Sequence, residues 1–156
     1  MAKGIQAEIK QTKPFSSLEE ETAIALARTA DVLSRRSAEL FKAHGLTGTQ
    51  YNVLRILRGA GDAGLACNEI GERMITRDPD ITRLLDRMER RGLCQRTRNQ
   101  QDRRVIMTRI TPQGLDLLKE MDSPVQELNL KLLGHMGEKR LRSLLRLLEA
   151  VRGRAG

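Results

Sequence analysis

Arginine side chains crowd one stretch of the sequence, where eight of them lie between Arg83 and Arg104. Residues 83–109 hold nine basic side chains, all arginine, and three acidic ones, so this stretch carries +6 of a net charge of +8. The guanidinium fork matches phosphate oxygens and guanine edges better than the lysine ammonium does. This pattern predicts a nucleic-acid-binding surface, with a solvated face that only maintains solubility as the alternative.

The rest of the composition argues against several other kinds of protein. The 156 residues contain no uncharged apolar run long enough for a membrane span, and Met1–Phe15 lacks the apolar run of a secretory signal. Cys67 and Cys94 are too few for a disulfide framework and have no second ligand at metal spacing. No paired carboxylates, Ser-His-Asp set or phosphate-binding glycine loop stands out. We therefore expect a cytoplasmic protein that is not an enzyme and needs no cofactor or metal.

The first of these arginines are predicted to lie on a helix that has a single apolar stripe. The stripe follows the spacing i, i+3, i+4, i+7 and consists of Ile81, Leu84, Leu85 and Met88. Asp78 is the predicted N-cap, with Pro79 at the first helical position, and the helix should continue to Arg91 and stop at Gly92. The opposite face then presents arginine and small polar groups to solvent.

Such a helix fits the major groove of B-DNA, where side-chain donors and acceptors distinguish the bases. Its N-terminal residues would lie deepest in the groove. The residues predicted to reach base edges are Arg77, Asp80, Thr82 and Arg83. Arg87 and Arg90 are predicted to contact phosphates instead.

After Gly92 the spacing of apolar residues changes from a helical period to the alternation of a strand. Residues 93–98 and 105–111 are predicted to be the two strands of a hairpin, because the second is rich in β-branched residues and a polar tip at Asn99–Asp102 separates them. A basic hairpin tip can lie along the neighbouring minor groove, whose negative potential attracts arginine.

Further helices are predicted on both sides of this unit. Before it come an arm at 1–16 and helices from Ser16 or Ser17 to Ala43, Thr49 to Arg58, and Ala66 to Met74. After it come a helix capped by Thr111 that runs toward Gly134, with a kink or split at Pro124, and a last helix from Glu138 to Arg152. This order predicts a mainly α fold with a small β-hairpin wing, a winged helix-turn-helix. Residues 45–111 would form a DNA-binding lobe, and residues 1–44 and 112–156 a helical dimerisation region.

Three segments resemble the multiple-antibiotic-resistance regulator (MarR) family. Residues 46–54 resemble the start of its DNA-binding lobe, and residues 82–93 resemble its recognition helix and the following turn. Asp102-Arg103-Arg104 and residues 110–114 resemble its wing and the start of the next helix. Residues 74–80 depart from the shorter connection that is usual before the recognition helix. The resemblance covers about residues 17–152.

The resemblance implies a homodimer whose first and last helices interlock. It implies binding to a pseudo-palindromic operator and transcriptional repression, often relieved by a small ligand. In the family pattern Arg104 enters the minor groove and Asp102 orients it, and Arg103 completes the predicted DNA-binding set. The expected partners are therefore double-stranded DNA, a second copy of the chain and a small-molecule effector, with no membrane.

Two of these expectations can also be examined from the residues. The first and last helices are apolar beyond what one small lobe can cover, which independently favours a dimer. Family members often bind aromatic acids between the dimer helices and the lobe. With no tryptophan and a single tyrosine, an aromatic-lined pocket is expected to be hard to build here.

Other functions remain open at this point. A sequence-neutral architectural protein of the nucleoid would show the same basic patch. A thiol-based redox regulator could use Cys67 or Cys94, although an inert thiol is the simpler interpretation of each. An RNA-binding module is disfavoured because the chain has only three aromatic residues for base stacking.

Overall fold

The computed structural model describes residues 4–154, which form seven α-helices, two short 3₁₀ turns and one small sheet. The helices are α1 (Ile5–Glu8), α2 (Leu18–Ala43), α3 (Gly48–Ala60), α4 (Cys67–Arg73), α5 (Ile81–Arg90), α6 (Pro112–Leu133) and α7 (Glu138–Gly153). The strands are β1 (Leu65–Ala66), β2 (Cys94–Arg98) and β3 (Ile106–Ile110). The predicted mainly α winged helix-turn-helix fold is confirmed.

The buried core lies in the lobe formed by α3, α4, α5 and the sheet. Its fully buried side chains interlock between these elements and the first half of α6, and they include Leu54, Leu57, Ile70, Leu85, Met88, Leu118 and Met121. Thr47 begins this lobe with a capping box, because its hydroxyl accepts from the Gln50 N–H while the Gln50 side chain accepts from the Thr47 N–H. The lobe is therefore held by apolar packing around a defined helix start.

The sheet has three strands, not the two of the predicted hairpin. β1 pairs antiparallel with the far edge of β3, with Leu65 opposite Thr108 and Ala66 opposite Met107, so the strand order is β1-β3-β2. The sequence pattern assigned Ala66 to the following helix, which instead begins at Cys67. A two-residue strand is too short to show alternation, so only its pairing with β3 reveals it.

The predicted recognition helix, α5, begins two residues later than expected. The Asp80 carboxylate, not that of Asp78, accepts the N-capping hydrogen bond, from the Arg83 N–H at 3.2 Å. Asp78 instead accepts from the Asp80 N–H at 2.8 Å and forms a turn before the helix, with Pro79 inside that turn. Because Asp suits both positions and both aspartates precede the apolar stripe, the sequence alone did not distinguish them.

The start of α6 is fixed against the corner between α5 and β2. The Thr111 hydroxyl donates to the Gly92 carbonyl at 2.6 Å and also caps α6 by accepting from the Gly114 N–H. A side chain at Gly114 would collide with the Leu93 carbonyl oxygen. This close backbone approach holds the first turn of α6 on the lobe.

α6 continues without a break through Pro124, so of the predicted kink or split the split is wrong. Proline removes one helical hydrogen bond. Met121 and Val125 pack against the lobe core on either side of it, which accounts for the continuity of the helix.

The described part of the predicted arm, residues 4–16, also differs from the prediction, and residues 1–3 of that arm lie outside the described residues. α1 forms one turn at Ile5–Glu8 and packs against α2. The Gln11 side chain donates to the Lys13 carbonyl at 2.9 Å and stabilises the turn that follows. A single turn of helix is too short for a periodic pattern.

Within residues 4–154, none of the helices has the length and apolar character needed to cross a membrane.

Candidate nucleic-acid interface

α5 divides into a buried face and a basic face, as its sequence predicts. Leu84, Leu85 and Met88 are buried against the lobe. On the opposite side lie the exposed side chains of Thr82, Arg83, Arg87 and Arg90. The helix therefore presents three guanidinium groups to solvent from a rigid support.

The N-terminus of α5 carries a linked pair of site residues. Asp80 caps the helix and also forms an ion pair with Arg83, with 3.1 Å between Arg83 Nε and Asp80 Oδ2. The Arg83 side chain is nevertheless 80% exposed, so its other donors face solvent. Asp80, predicted to reach a base edge, is thus occupied in holding the helix start and Arg83. Arg77 is exposed on the connector between α4 and α5, residues 74–80.

The wing consists of β2, β3 and the tip between them. The two strands pair in register from Cys94 opposite Ile110 to Arg98 opposite Ile106. At the tip, the Asp102 carboxylate accepts from the Arg104 backbone N–H at 3.0 Å. Asp102 therefore shapes the backbone that carries Arg104, and the exposed guanidinium groups of Arg103 and Arg104 are left for an outside partner.

Arg98 supports the same tip, a role that the sequence did not indicate. Its guanidinium donates to the Arg103 carbonyl oxygen at 3.2 Å. The residue lies at the end of β2, immediately before the turn, so it reaches across the base of the loop. The tip is therefore held by one side-chain hydrogen bond within the loop, at Asp102, and by one from the strand, at Arg98.

Arg96 behaves differently from the other arginines of the basic stretch. Its side chain is only 23% exposed and turns inward to the carboxylates of Asp86 and Glu89 on α5. The Arg96 backbone N–H, and then its guanidinium, lower the pKa of Glu89 by stabilising the carboxylate. From the sequence, Arg96 was included in the basic patch, because the net charge of a segment does not show which way each side chain points.

The two cysteines lie in different environments. Burial, reinforced by the nearby Glu89 carboxylate, raises the pKa of the Cys94 thiol to about 11. Cys94 is therefore a neutral thiol at physiological pH, which is the inert state for redox chemistry. Cys67 begins α4 and is half-buried, and its Sγ lies 4.0 Å from the Thr82 hydroxyl. Residues 4–154 contain no cluster of three metal-ligating side chains.

A cavity of about 310 Å³ lies between α2 and α3, next to the connector. Phe41 and Tyr51 stack beside it with ring centroids 4.3 Å apart. The expectation that an aromatic lining is hard to build is therefore wrong, because the fold brings one of two phenylalanines to the single tyrosine. These residues are ten positions apart on different helices, so no local pattern predicts their contact.

A basic helix-turn-helix with a basic hairpin beside it is the architecture of a winged helix-turn-helix protein. Comparison with known proteins gives a more specific result. The model of the MarR family matches residues 46–106. A MarR transcription factor of known structure from Planctomyces limnophilus is 40% identical, and the match covers 88% of this chain and 99% of that one with a TM-score of 0.67. The chain belongs to the MarR family.

Two further relatives match this chain over different shares of their own length. The transcriptional repressor CouR, solved bound to a 23-mer DNA duplex, is 25% identical, with 91% of this chain and 99% of that one covered and a TM-score of 0.73. The HTH-type transcriptional regulator MhqR of Bacillus subtilis (strain 168) is 35% identical over 78 residues, 50% of this chain. The match spans about half of that relative, 52% of its length.

Proposed function

We propose that the protein is a homodimeric, sequence-specific DNA-binding regulator of transcription that acts as a repressor. The observation that carries this proposal is the exposure of arginines from α5 and from the wing tip on one rigid lobe. Family membership supports it, as does the likeness to CouR, a repressor bound to a DNA duplex.

The candidate site residues contact different parts of the DNA in this proposal. Arg77, Thr82 and Arg83 contact base edges in the major groove, while Arg87 and Arg90 contact phosphates. Arg104 enters the adjacent minor groove, with Arg103 on the backbone beside it. Asp80 and Asp102 contribute indirectly, because their carboxylates hold the helix start and the loop that present these side chains.

The dimer is proposed because the long helices α2 and α7 bury little of their surface within one chain. α2 and α7 contain no buried residue over the part of the chain that the structure describes. Large apolar side chains are exposed on these helices and on α6, including Leu18, Val32, Leu115, Leu130, Leu145, Leu147 and Val151. A second copy would cover them and place two recognition helices about 34 Å apart, one turn of DNA.

Two substitutions test which groove each arginine contacts. We expect Arg83→Ala to weaken operator binding by about 1–3 kcal/mol and to relax the base preference at one position.

Arg104→Ala should weaken binding and lower the slope of affinity against salt concentration by about one. Binding is measured by fluorescence anisotropy over a salt series. Arg36→Ala, an exposed arginine on α2 outside the lobe, is the control. Unchanged binding by Arg104→Ala would remove the wing from the proposal.

Selection of bound duplexes from a random pool tests the function itself. A repressor dimer should enrich a symmetric site and bind it more tightly than a scrambled duplex of the same composition. Equal affinity for both duplexes at every salt concentration would instead indicate a sequence-neutral nucleoid protein. That second candidate rests on the basic patch alone.

The cavity between α2 and α3 is the proposed site of a small-molecule effector. Phe41 and Tyr51 supply an aromatic wall, and the exposed Arg55 at the same cavity supplies a cation. This chemistry fits a small aromatic carboxylate. Ile75 and Thr76 of the connector line the cavity as well, and the Ile75 N–H donates to the Asn52 side chain at 2.8 Å. An occupant would thus contact the segment that leads into the recognition helix.

Benzoate is a suitable probe for this cavity. We expect it to weaken operator binding by the wild-type protein, and Arg55→Gln to reduce the ratio of dissociation constants with and without benzoate to about one, because the carboxylate loses its charge-assisted partner. Arg73→Gln removes an exposed arginine of α4 outside the cavity lining and should keep the response. A full benzoate response in Arg55→Gln would contradict this placement of the effector.

A further inference from the structure

Arg96 joins the wing to α5 through ion pairs to two carboxylates of that helix, Asp86 and Glu89. Its Nε and Nη2 lie 2.9 and 2.8 Å from Glu89 Oε2, its backbone N–H donates to Glu89 Oε1 at 2.9 Å, and Nη2 also pairs with Asp86. Glu89 therefore contacts both the backbone and the side chain of β2. One guanidinium spans two successive turns of α5.

The same strand contacts α5 at a second point. The buried Cys94 thiol lies 3.9 Å from the Leu85 carbonyl oxygen, on the side of the strand opposite to solvent. Gly92 forms the turn between the two elements with a φ of +71°. A tight turn, one packed thiol and the pairing of β2 with β3 hold the strand, and beyond Gln95 the Arg96 cluster supplies a further, side-chain link from β2 to α5.

We propose that Arg96 is a positioning residue, which sets the angle between the wing and α5 so that the minor-groove and major-groove arginines meet DNA together. This inference rests on the proposed function. Arg96 contacts no DNA in this arrangement, because its Nε and Nη2 are directed at Asp86 and Glu89. It also neutralises the only two carboxylates within α5, which would otherwise oppose approach to phosphates.

The substitution Glu89→Gln distinguishes this proposal from a purely electrostatic account, because the two predict opposite changes in operator affinity. Glu89→Gln removes a negative charge from the DNA-facing helix, so general electrostatics predicts tighter binding to any duplex. If Glu89 and Arg96 position the wing, the same substitution should weaken operator binding. We expect a loss of about tenfold, within the usual range for coupled contacts.

The experiment compares Glu89→Gln with Glu72→Gln, an exposed carboxylate on α4 that makes the same charge change. Operator affinity is measured for both, alone and combined with Arg104→Ala and with Arg83→Ala. We expect the effect of Arg104→Ala to shrink in the Glu89→Gln background and that of Arg83→Ala to persist. Glu72→Gln should leave both effects unchanged. Tighter operator binding by Glu89→Gln, or full additivity with Arg104→Ala, would overturn the inference.

Amide hydrogen exchange of the free protein supplies a readout that does not depend on DNA. In Glu89→Gln the amides of residues 97–104 should exchange faster, while those of α3 keep their protection. If wild-type protein proves indifferent to duplex sequence, the proposed function fails, yet faster exchange would still support the Arg96 attachment. Unchanged exchange of the wing amides would overturn that attachment by itself.

Discussion

Leu85→Ala is expected to lower the free energy of unfolding by about 2–5 kcal/mol, one of the two largest effects that we predict. Leu85 is 1% exposed and lies under the middle of the recognition helix. Truncation removes buried apolar surface and leaves a cavity between α5 and the rest of the lobe, which cannot close without moving the helix. Urea denaturation followed by circular dichroism measures the change.

The control for this prediction is Ile75→Ala, which trims an aliphatic side chain that is 87% exposed. Its effect should stay within about 0.5 kcal/mol, because little apolar surface is lost from the core. A cost below about 1 kcal/mol for Leu85→Ala would mean that α5 is not anchored by its apolar stripe. The rigid presentation of the arginines would then need another explanation.

Leu145→Glu is expected to abolish the proposed dimer and to reduce operator affinity by about a hundredfold or more. Leu145 is 59% exposed in the single chain and belongs to a stripe on α7 with Leu141, Leu144, Leu148 and Val151. A carboxylate buried in an apolar interface would carry a large desolvation cost. Losing the second lobe removes the gain from binding two half-sites at once. Analytical ultracentrifugation and anisotropy with the selected operator measure the two effects.

Ala150→Glu provides the matched control, because the helical period places Ala150 nearly opposite the Leu145 stripe. It adds the same charge to the same helix and should preserve both the dimer and tight operator binding. A dimeric Leu145→Glu protein would show that the interface lies on another face of the long helices.

Sequence patterns predicted the recognition helix well because its signal is redundant. Three of its four predicted apolar positions are buried, Ile81 packs against the same core from a half-buried position, and Gly92 ends the unit with a left-handed conformation. Its start was displaced by two residues because Asp78 and Asp80 are equally good caps on local chemistry. Helix existence depends on many residues, whereas a boundary depends on one hydrogen bond.

Features that depend on distant residues were not predictable in the same way. The inward direction of Arg96, the β1 pairing and the stacking of Phe41 on Tyr51 are contacts between elements, and no local period encodes them. The continuous helix at Pro124 has the same origin, since packing on both sides offsets a local penalty. The candidate DNA-contact residues lie on exposed local elements, so their placement followed from sequence once the fold was known.

The attachment of Thr111 and Gly114 to the corner between α5 and β2 gives α6 the properties of a rigid arm. All buried positions of this 22-residue helix fall in its first half, and Val125 is the last of its residues that packs on the lobe core, so the remainder projects from the lobe. At 1.5 Å per residue the arm is about 33 Å long, comparable with the spacing of successive major grooves. In the proposed dimer, a small tilt where the two subunits meet would swing the recognition helix as one body with α6, and half-site spacing would change without any refolding of the lobe.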